Sequence, residues 1–204
     1  MGQQRNTIWT PANIVTMVRV LLVPLWLLLA ELSVTATDDK VSTSALIVAL
    51  LYMAISLTDK LDGYLARSRG EVTSFGKFLD PIADKLAVIV ALCYLLEAGE
   101  VSAWVLLAIV SREFLVSGLR MVVASEGVVV AASNLGKWKT AVTMLGISLM
   151  LLVRALPQGM AITSPCHTVS NILIIISVVL TIWSGIDYFI KCWPYLSGNA
   201  PHEN

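Results

Sequence analysis

Four aspartates are the residues best placed to do chemistry. Asp59 and Asp62 stand three apart, and Asp80 and Asp84 four apart, within SLTDKLDGYLARSRGEVTSFGKFLDPIADK. A helix turns about 100° per residue, so each pair would share one face of its helix, one turn apart. A short connection would make the two helices antiparallel neighbours and set the two pairs across one gap. Carboxylates so close repel, and a single acidic group deep in a membrane already costs roughly 2.5–3.5 kcal/mol on insertion scales. Either some of the four stay protonated or divalent cations neutralise them. All-oxygen ligands suit hard ions such as Mg2+ or Mn2+, and two of these would balance four carboxylates. A dinuclear centre suits displacement at phosphorus, one ion activating the attacking oxygen and the other stabilising the leaving oxygen.

The residues between the pairs fit that chemistry. Gly63 and Ala66 leave the aspartate face bare of bulk, and Gly76 does the same on the approach to Asp80, so a flat base and ribose could lie against the backbone. Arg67 is placed to meet phosphate oxygens by charge-assisted hydrogen bonds. Taken singly, Gly63 could equally serve helix packing and Arg67 could equally set topology.

The elements that must hold these residues are apolar. Of 204 residues 57% are hydrophobic and only 14% charged, against about a quarter charged in soluble domains. The mean hydropathy is +0.80. Lipid is the expected solvent for most of the chain. Six apolar stretches stand out, Ile14–Leu32, Ser44–Leu65, Phe78–Leu96, Ser102–Val123, Trp138–Leu156 and Val169–Ile190. Each has about the 17–25 residues a spanning helix needs. Polar breaks separate them: VTATDDK, RSRGEVTS, EAGE, SEGVVVAASNLGK and PQGMAITSPCH. The fold expected is all-α, a polytopic membrane protein with six transmembrane helices in one bundle, forming one domain over residues 1–204 with the signature at 59–84. No repeat of fixed period is visible.

Charge placement sets the expected orientation. With the N-terminus in the cytoplasm, eleven of the fourteen Lys and Arg residues fall at or near the cytoplasmic side, only Lys40 and Arg154 fall opposite, and Arg112 lies within the fourth span. Glu31, Asp38, Asp39, Glu97 and Glu100 collect on the far side. Both termini are then cytoplasmic, and the aspartates lie together at the cytoplasmic face of the inner membrane. A net charge of zero gives no reason to expect a nucleic-acid partner. Cys93, Cys166 and Cys192 match no metal spacing and no disulfide framework. The opening MGQQRN has Asn6 where a myristoylation signal needs Ser or Thr, and Val20–Leu32 reads as a retained first helix rather than a signal peptide. His167 and His202 are expected in a loop and in the tail, without a role.

Taken together, the residues are more specific. Asp59-x-x-Asp62-Gly63-x-x-Ala66-Arg67, eight residues, then Gly76-x-x-x-Asp80-x-x-x-Asp84 resembles the signature of the CDP-alcohol phosphotransferase family at every position. The resemblance implies a CDP-activated donor, commonly CDP-diacylglycerol, that loses CMP to an alcohol. It implies that Asp59, Asp62, Asp80 and Asp84 hold two divalent cations, with Asp84 also the base for the acceptor hydroxyl. It assigns the CDP site to Gly63, Ala66, Arg67 and Gly76, with Thr73 beside them, and implies a homodimer among membrane lipids.

Beyond the signature the chain is similar to bacterial members of the family that make phosphatidylglycerophosphate. That similarity lies in Pro11-Ala12-Asn13 through Thr16 and Arg19, in DPIADK, in Arg112-Glu113-Phe114 with Ser117 through Arg120, and in Gly136-Lys137-x-Lys139-Thr140. The acceptor implied is sn-glycerol 3-phosphate. Its phosphate needs cations beyond Arg67, and Arg112, Arg120, Lys137 and Lys139 are available. An arginine within a span is costly unless it lines a wet cavity or is paired. Glu113 points about 100° away from Arg112 on a helix, so it is not an expected partner. Topology alone could account for Lys137 and Lys139. The family more often has an apolar residue before Pro-Asn, a departure that leaves Asn13 outside the expected site.

Other acceptors within the family are inositol phosphate, serine or phosphatidylglycerol. Intramembrane prenyltransferases also carry aspartate-rich helices, but their first motif usually adds an acidic residue where this chain has Ala66. A transporter could use the carboxylates as a proton relay, which would work without divalent metal and gives no reason for Gly63, Ala66 and Gly76.

Overall fold

The computed structural model describes residues 10–37, 39–69, 74–125 and 134–197; within its helices the side chains of residues 11, 12, 59–69, 74, 75, 77, 78, 80, 81, 84 and 134 lie outside that description. The described residues form an all-helical fold: α1 (Pro11–Glu31), α2 (Thr43–Arg69), α3 (Ser74–Glu97), α4 (Ala103–Ser125), α5 (Asn134–Val153) and α6 (Thr163–Leu196). Each apolar stretch of the sequence is one helix. Three helices are long and apolar enough to cross a membrane, over Asn13–Glu31, Leu135–Val153 and Thr163–Leu196. Helix α4 carries Arg112, Glu113 and Arg120, which lowers its apolar character.

The helices run further than the apolar stretches. Residues 67–69 of the RSRGEVTS break continue α2, residues 134–137 open α5, and residues 163–168 open α6. Hydropathy reads which solvent a residue prefers, whereas a helix continues as long as its backbone hydrogen bonds do. At 34 residues, α6 is about 51 Å long, well beyond a hydrocarbon layer of about 30 Å.

The packing of α6 is inverted relative to a soluble helix: most large aliphatic side chains face out and mainly small or polar ones face in. On α6 the outward residues include Ile175, Val179, Ile182, Trp183, Ile186 and Ile190, all exposed. Its buried face repeats every seven residues, with Thr163, Ser170, Ser177 and Ser184 in one row and Ile174, Thr181 and Tyr188 in the next. That small, hydroxyl-rich seam allows the close approach of α5, the partner α6 contacts most extensively. The buried hydroxyls are satisfied within the helix: Ser177 Oγ donates to the Ile174 carbonyl (2.8 Å), Thr181 Oγ1 to Ser177 (2.6 Å) and Ser184 Oγ to Thr181 (3.1 Å). Gly146 of α5 completes the fit, because a Cβ there would lie 2.9 Å from Ile174 Cδ1.

The main core joins α1, α2, α3 and α5 around Trp26, Tyr52 and Tyr94. Trp26 lies 5.6 Å from the Tyr52 ring and 5.9 Å from the Tyr94 ring, and its indole N–H donates to the Val48 carbonyl at 2.9 Å. A smaller cluster of Val116, Val123, Tyr188 and Cys192 joins α4 to α6.

One end of the bundle is tied by its connections. The Ala36 amide donates to the Arg154 carbonyl and the Ser42 amide to that of Ala155, both at 3.0 Å. Glu100 bridges Arg154 and His167, at 3.2 Å each, and the Arg154 guanidinium lies over the Tyr94 ring. His167 is therefore in α6 with a carboxylate partner, not in a loop without one. Gly99, with φ of +76°, makes the turn out of α3 that brings Glu100 there.

Candidate active site

The other end holds the signature, where α2 ends and α3 begins. Asp59, Asp62, Gly63, Ala66 and Arg67 lie on α2, and Gly76, Asp80 and Asp84 on α3. The spacing within each helix keeps each aspartate pair on one face. The side chains of the four aspartates and of Arg67 lie outside the described residues, as does Thr73 altogether. Gly76 is buried. Helices α2 and α3 touch each other, but each packs more extensively on α1. The donor set in the signature is purely carboxylate, which fits a hard divalent cation and no softer metal. Among the described residues no cluster of His, Cys, Asp and Glu could hold a metal ion.

Helix α1 presents a polar face in this half of the bundle. Asn13, Thr16 and Arg19, one turn apart, are all buried, on the helix that packs against both α3 and α2. Thr10 caps α1, accepting from the Asn13 amide at 3.3 Å, and Pro11 starts the first turn. Asn13 thus belongs to the buried polar interior although its motif departs from the usual pattern. The signal available in sequence was the three-residue spacing of polar side chains in an otherwise apolar helix.

The expected acceptor cations divide. Glu113 of α4 gathers two of them: Arg112 Nη1 lies 3.1 Å from Glu113 Oε1, and Lys139 Nζ of α5 donates to the same oxygen. All three are largely buried, with 14%, 16% and 7% of their side chains exposed. The expectation that Glu113 points away from Arg112 is corrected. The 100° rule describes where Cβ vectors start, whereas guanidinium and carboxylate reach several bonds further and meet. Lys85 of α3 adds a third cation. It donates to Ser117 Oγ, while that hydroxyl donates to the Glu113 carbonyl at 2.7 Å, and its charge acts on Glu113 together with those of Arg112 and Lys139. Among the described side chains this cluster has three positive groups and one negative. Arg112 Nε is buried there with no hydrogen-bond partner among the described residues. A surplus of buried donors and positive charge suits an anion with several oxygens.

Arg120, two turns further along α4, faces α6. Its Nε donates to the Tyr188 hydroxyl at 3.2 Å and its guanidinium lies 5.3 Å from the centre of that ring. Gly185 is the near neighbour of Arg112 on the same helix, where a Cβ would lie 3.1 Å from Arg112 Cγ. Lys137 is exposed in the first turn of α5, two residues from the inward-facing Lys139. The structure therefore joins Arg112 and Lys139 through one carboxylate, sets Arg120 against α6, and turns Lys137 outward. Sequence reasoning missed Lys85, Glu113 and Tyr188, whose partners are 26 to 68 positions away in the chain.

The described fold is thus six helices, with the signature residues at one end of α2 and α3 and a buried cationic cluster drawn from α3, α4 and α5. The chain belongs to the CDP-alcohol phosphatidyltransferase family, which matches residues 9–183. It is 39% identical over 189 residues to a Bacillus subtilis protein named CDP-diacylglycerol–glycerol-3-phosphate 3-phosphatidyltransferase, covering 90% of this chain and 95% of the relative. A Rickettsia bellii protein of the same name is 44% identical over 147 residues, covering 72% and 79%. A Mycobacterium tuberculosis protein named probable phosphatidylglycerophosphate synthase is 32% identical over 187 residues, covering 92% and 83%.

Proposed function

We propose that this enzyme transfers the phosphatidyl group of CDP-diacylglycerol to sn-glycerol 3-phosphate, giving phosphatidylglycerophosphate and CMP in phospholipid biosynthesis. The observation that carries the acceptor is the buried Arg112–Glu113–Lys139 cluster with Lys85. It offers positive charge and spare donors for a phosphate monoester, which serine, a neutral zwitterion, would leave unanswered. The names of the relatives that match over most of both chains support the same reading.

The reaction follows from the residues in order. Gly63, Ala66 and Gly76 give the nucleotide a surface without bulk, and Arg67 and Thr73 meet its phosphates. Asp59, Asp62, Asp80 and Asp84 hold two divalent cations, Mg2+ or Mn2+, which when bound offset the charge of the pyrophosphate and of the leaving CMP. The acceptor phosphate sits against Arg112 and Lys139, with Arg120 at the α6 side and Lys137 at the entrance. The acceptor 1-hydroxyl gives its proton to Asp84 and attacks the phosphorus that carries diacylglycerol. One phosphorus–oxygen bond forms, the bond to CMP breaks, and CMP departs with the negative charge. Burial limits competition by water for the same phosphorus.

In this reading all six helices cross the cytoplasmic membrane as one domain, with both termini and the site at the cytoplasmic face. The outward aliphatic surface of α1 and α6 and the bias of Lys and Arg support it. The acyl chains of the donor stay in lipid, and two copies of the chain associate as a homodimer. The test is CMP release by purified enzyme given CDP-diacylglycerol and Mg2+ with glycerol 3-phosphate, inositol phosphate, serine or phosphatidylglycerol in turn. Release is expected with glycerol 3-phosphate and is expected to stop when EDTA removes the metal. Release only with another acceptor overturns the assignment.

A further inference from the structure

We infer that Glu113 is a positioning residue for the acceptor phosphate, holding Arg112 and Lys139 at a fixed separation as a two-pronged cradle. The inference rests on the acceptor reading above. One oxygen of Glu113 accepts from both cations, Arg112 on its own helix and Lys139 on α5. Two buried cations that meant to grip one anion would repel each other while the site was empty. Their long, flexible stems would then carry the charged ends apart, to whatever polar surface was nearest. A carboxylate between them cancels that repulsion and fixes both ends before the substrate arrives, so less order must be imposed on binding.

Further contacts tie the Glu113 main chain and the Arg112 stem to their surroundings. Ser117, one turn along α4, donates to the Glu113 carbonyl and accepts from Lys85 of α3. The Arg112 stem runs over Gly185 of α6, where a Cβ would lie 3.1 Å from Arg112 Cγ and displace the stem slightly. Helices α4 and α5 thus meet at one acidic side chain that has no place in the bond-making step, with α3 and α6 against its neighbours Ser117 and Arg112.

The inference has a sign that simple charge does not share. Replacing Glu113 by Gln removes a negative charge beside a site for an anion. If charge alone mattered, glycerol 3-phosphate would bind more tightly. Positioning predicts the reverse, because Gln holds two cations far less well than a carboxylate does.

The test measures steady-state CMP release by the purified full-length enzyme at varied glycerol 3-phosphate and varied CDP-diacylglycerol, for wild type, Glu113→Gln and Glu113→Asp. Expected for Glu113→Gln is a rise of at least about tenfold in KM for glycerol 3-phosphate, with KM for CDP-diacylglycerol within about twofold of wild type. Glu113→Asp keeps the charge but shortens the reach, and a several-fold rise in the same KM is expected. An unchanged or lowered acceptor KM in Glu113→Gln overturns the inference. If that variant has no cooperative melting transition, Glu113→Asp decides alone: a wild-type acceptor KM there overturns it. Silence of the wild-type enzyme toward glycerol 3-phosphate would remove the acceptor assignment and the inference together, in the control arm. A flat response of the variants beside an active wild type removes only the inference.

Discussion

In the proposed reaction Asp84 is the residue on which the bond-making step turns. The last aspartate of the signature, on α3, is there assigned both a share in holding cations and acceptance of the hydroxyl proton. Asp84→Asn keeps shape and loses basicity. CMP release is expected to fall by at least about 100-fold, while binding of CDP-diacylglycerol, followed by equilibrium titration of the purified variant, persists. Full activity in that variant would remove the base assignment. The roles of the four aspartates could be argued from sequence because a charge that costs energy in lipid must be kept for a reason. Glu113 could not be found that way. Its partners are Arg112, which angular spacing sends elsewhere, and Lys139, which only the packing of α4 toward α5 reveals. Arg120 is legible in sequence through its charge and the Ser117–Arg120 resemblance, but its ring partner Tyr188 lies on a helix that chain order does not bring near.

At the scale of elements, each of the six apolar runs corresponds to one of the six described helices, and three of these are long and apolar enough to cross a membrane. The ends were less legible. Residues 163–167 belong to the polar break PQGMAITSPCH, yet they open α6, since a helix continues as long as its backbone hydrogen bonds do, whatever the polarity of its side chains. Two glycines show what packing adds. A methyl at Gly146 meets Ile174 Cδ1 at 2.9 Å, Ile174 Cγ1 at 3.2 Å and Leu173 Cβ at 3.3 Å, in the α5–α6 seam. Gly146→Ala is expected to lower stability, because overpacking costs about 1–3 kcal/mol and the gain in helix propensity returns only about 1 kcal/mol. Its acceptor KM should match wild type. At Gly185 the near atom among the described residues is Cγ of Arg112, at 3.1 Å. There the propensity gain is opposed by one flexible stem, so Gly185→Ala should melt at or above the wild-type temperature while KM for glycerol 3-phosphate rises a few-fold. Thermal melts and acceptor titrations on the two variants separate these outcomes, and a shared response would show that α6 does not distinguish seam from site.

For the whole molecule, orientation decides which compartment supplies the acceptor. The proposed arrangement puts Met160, exposed in the α5–α6 connection, outside, and Lys191, exposed near the end of α6, inside. Single cysteines at these positions, in a chain with Cys93 and Cys166 replaced by Ala and the buried Cys192 retained, report it directly. A membrane-impermeant maleimide applied to intact cells should label Met160→Cys and should label Lys191→Cys only after permeabilisation. The opposite pattern would place the site away from cytosolic glycerol 3-phosphate. Sequence carried this expectation because the positive-charge bias is a property of the total chain, whereas the way the helices pack is a property of shapes that composition does not record.

The bridge of Glu100 to Arg154 and His167, with the backbone bonds of Ala36 and Ser42 beside it, acts as a fulcrum. A bundle clamped at one tip can splay only at the other, and the displacement grows with distance along the rods. Over helices about 30 Å long, a tilt of about 5° changes the spacing at the free tip by roughly 3 Å and hardly at all beside the clamp. Any splay that admitted the donor's acyl chains in the proposed reaction would therefore open at the signature end and not at the clamped rim.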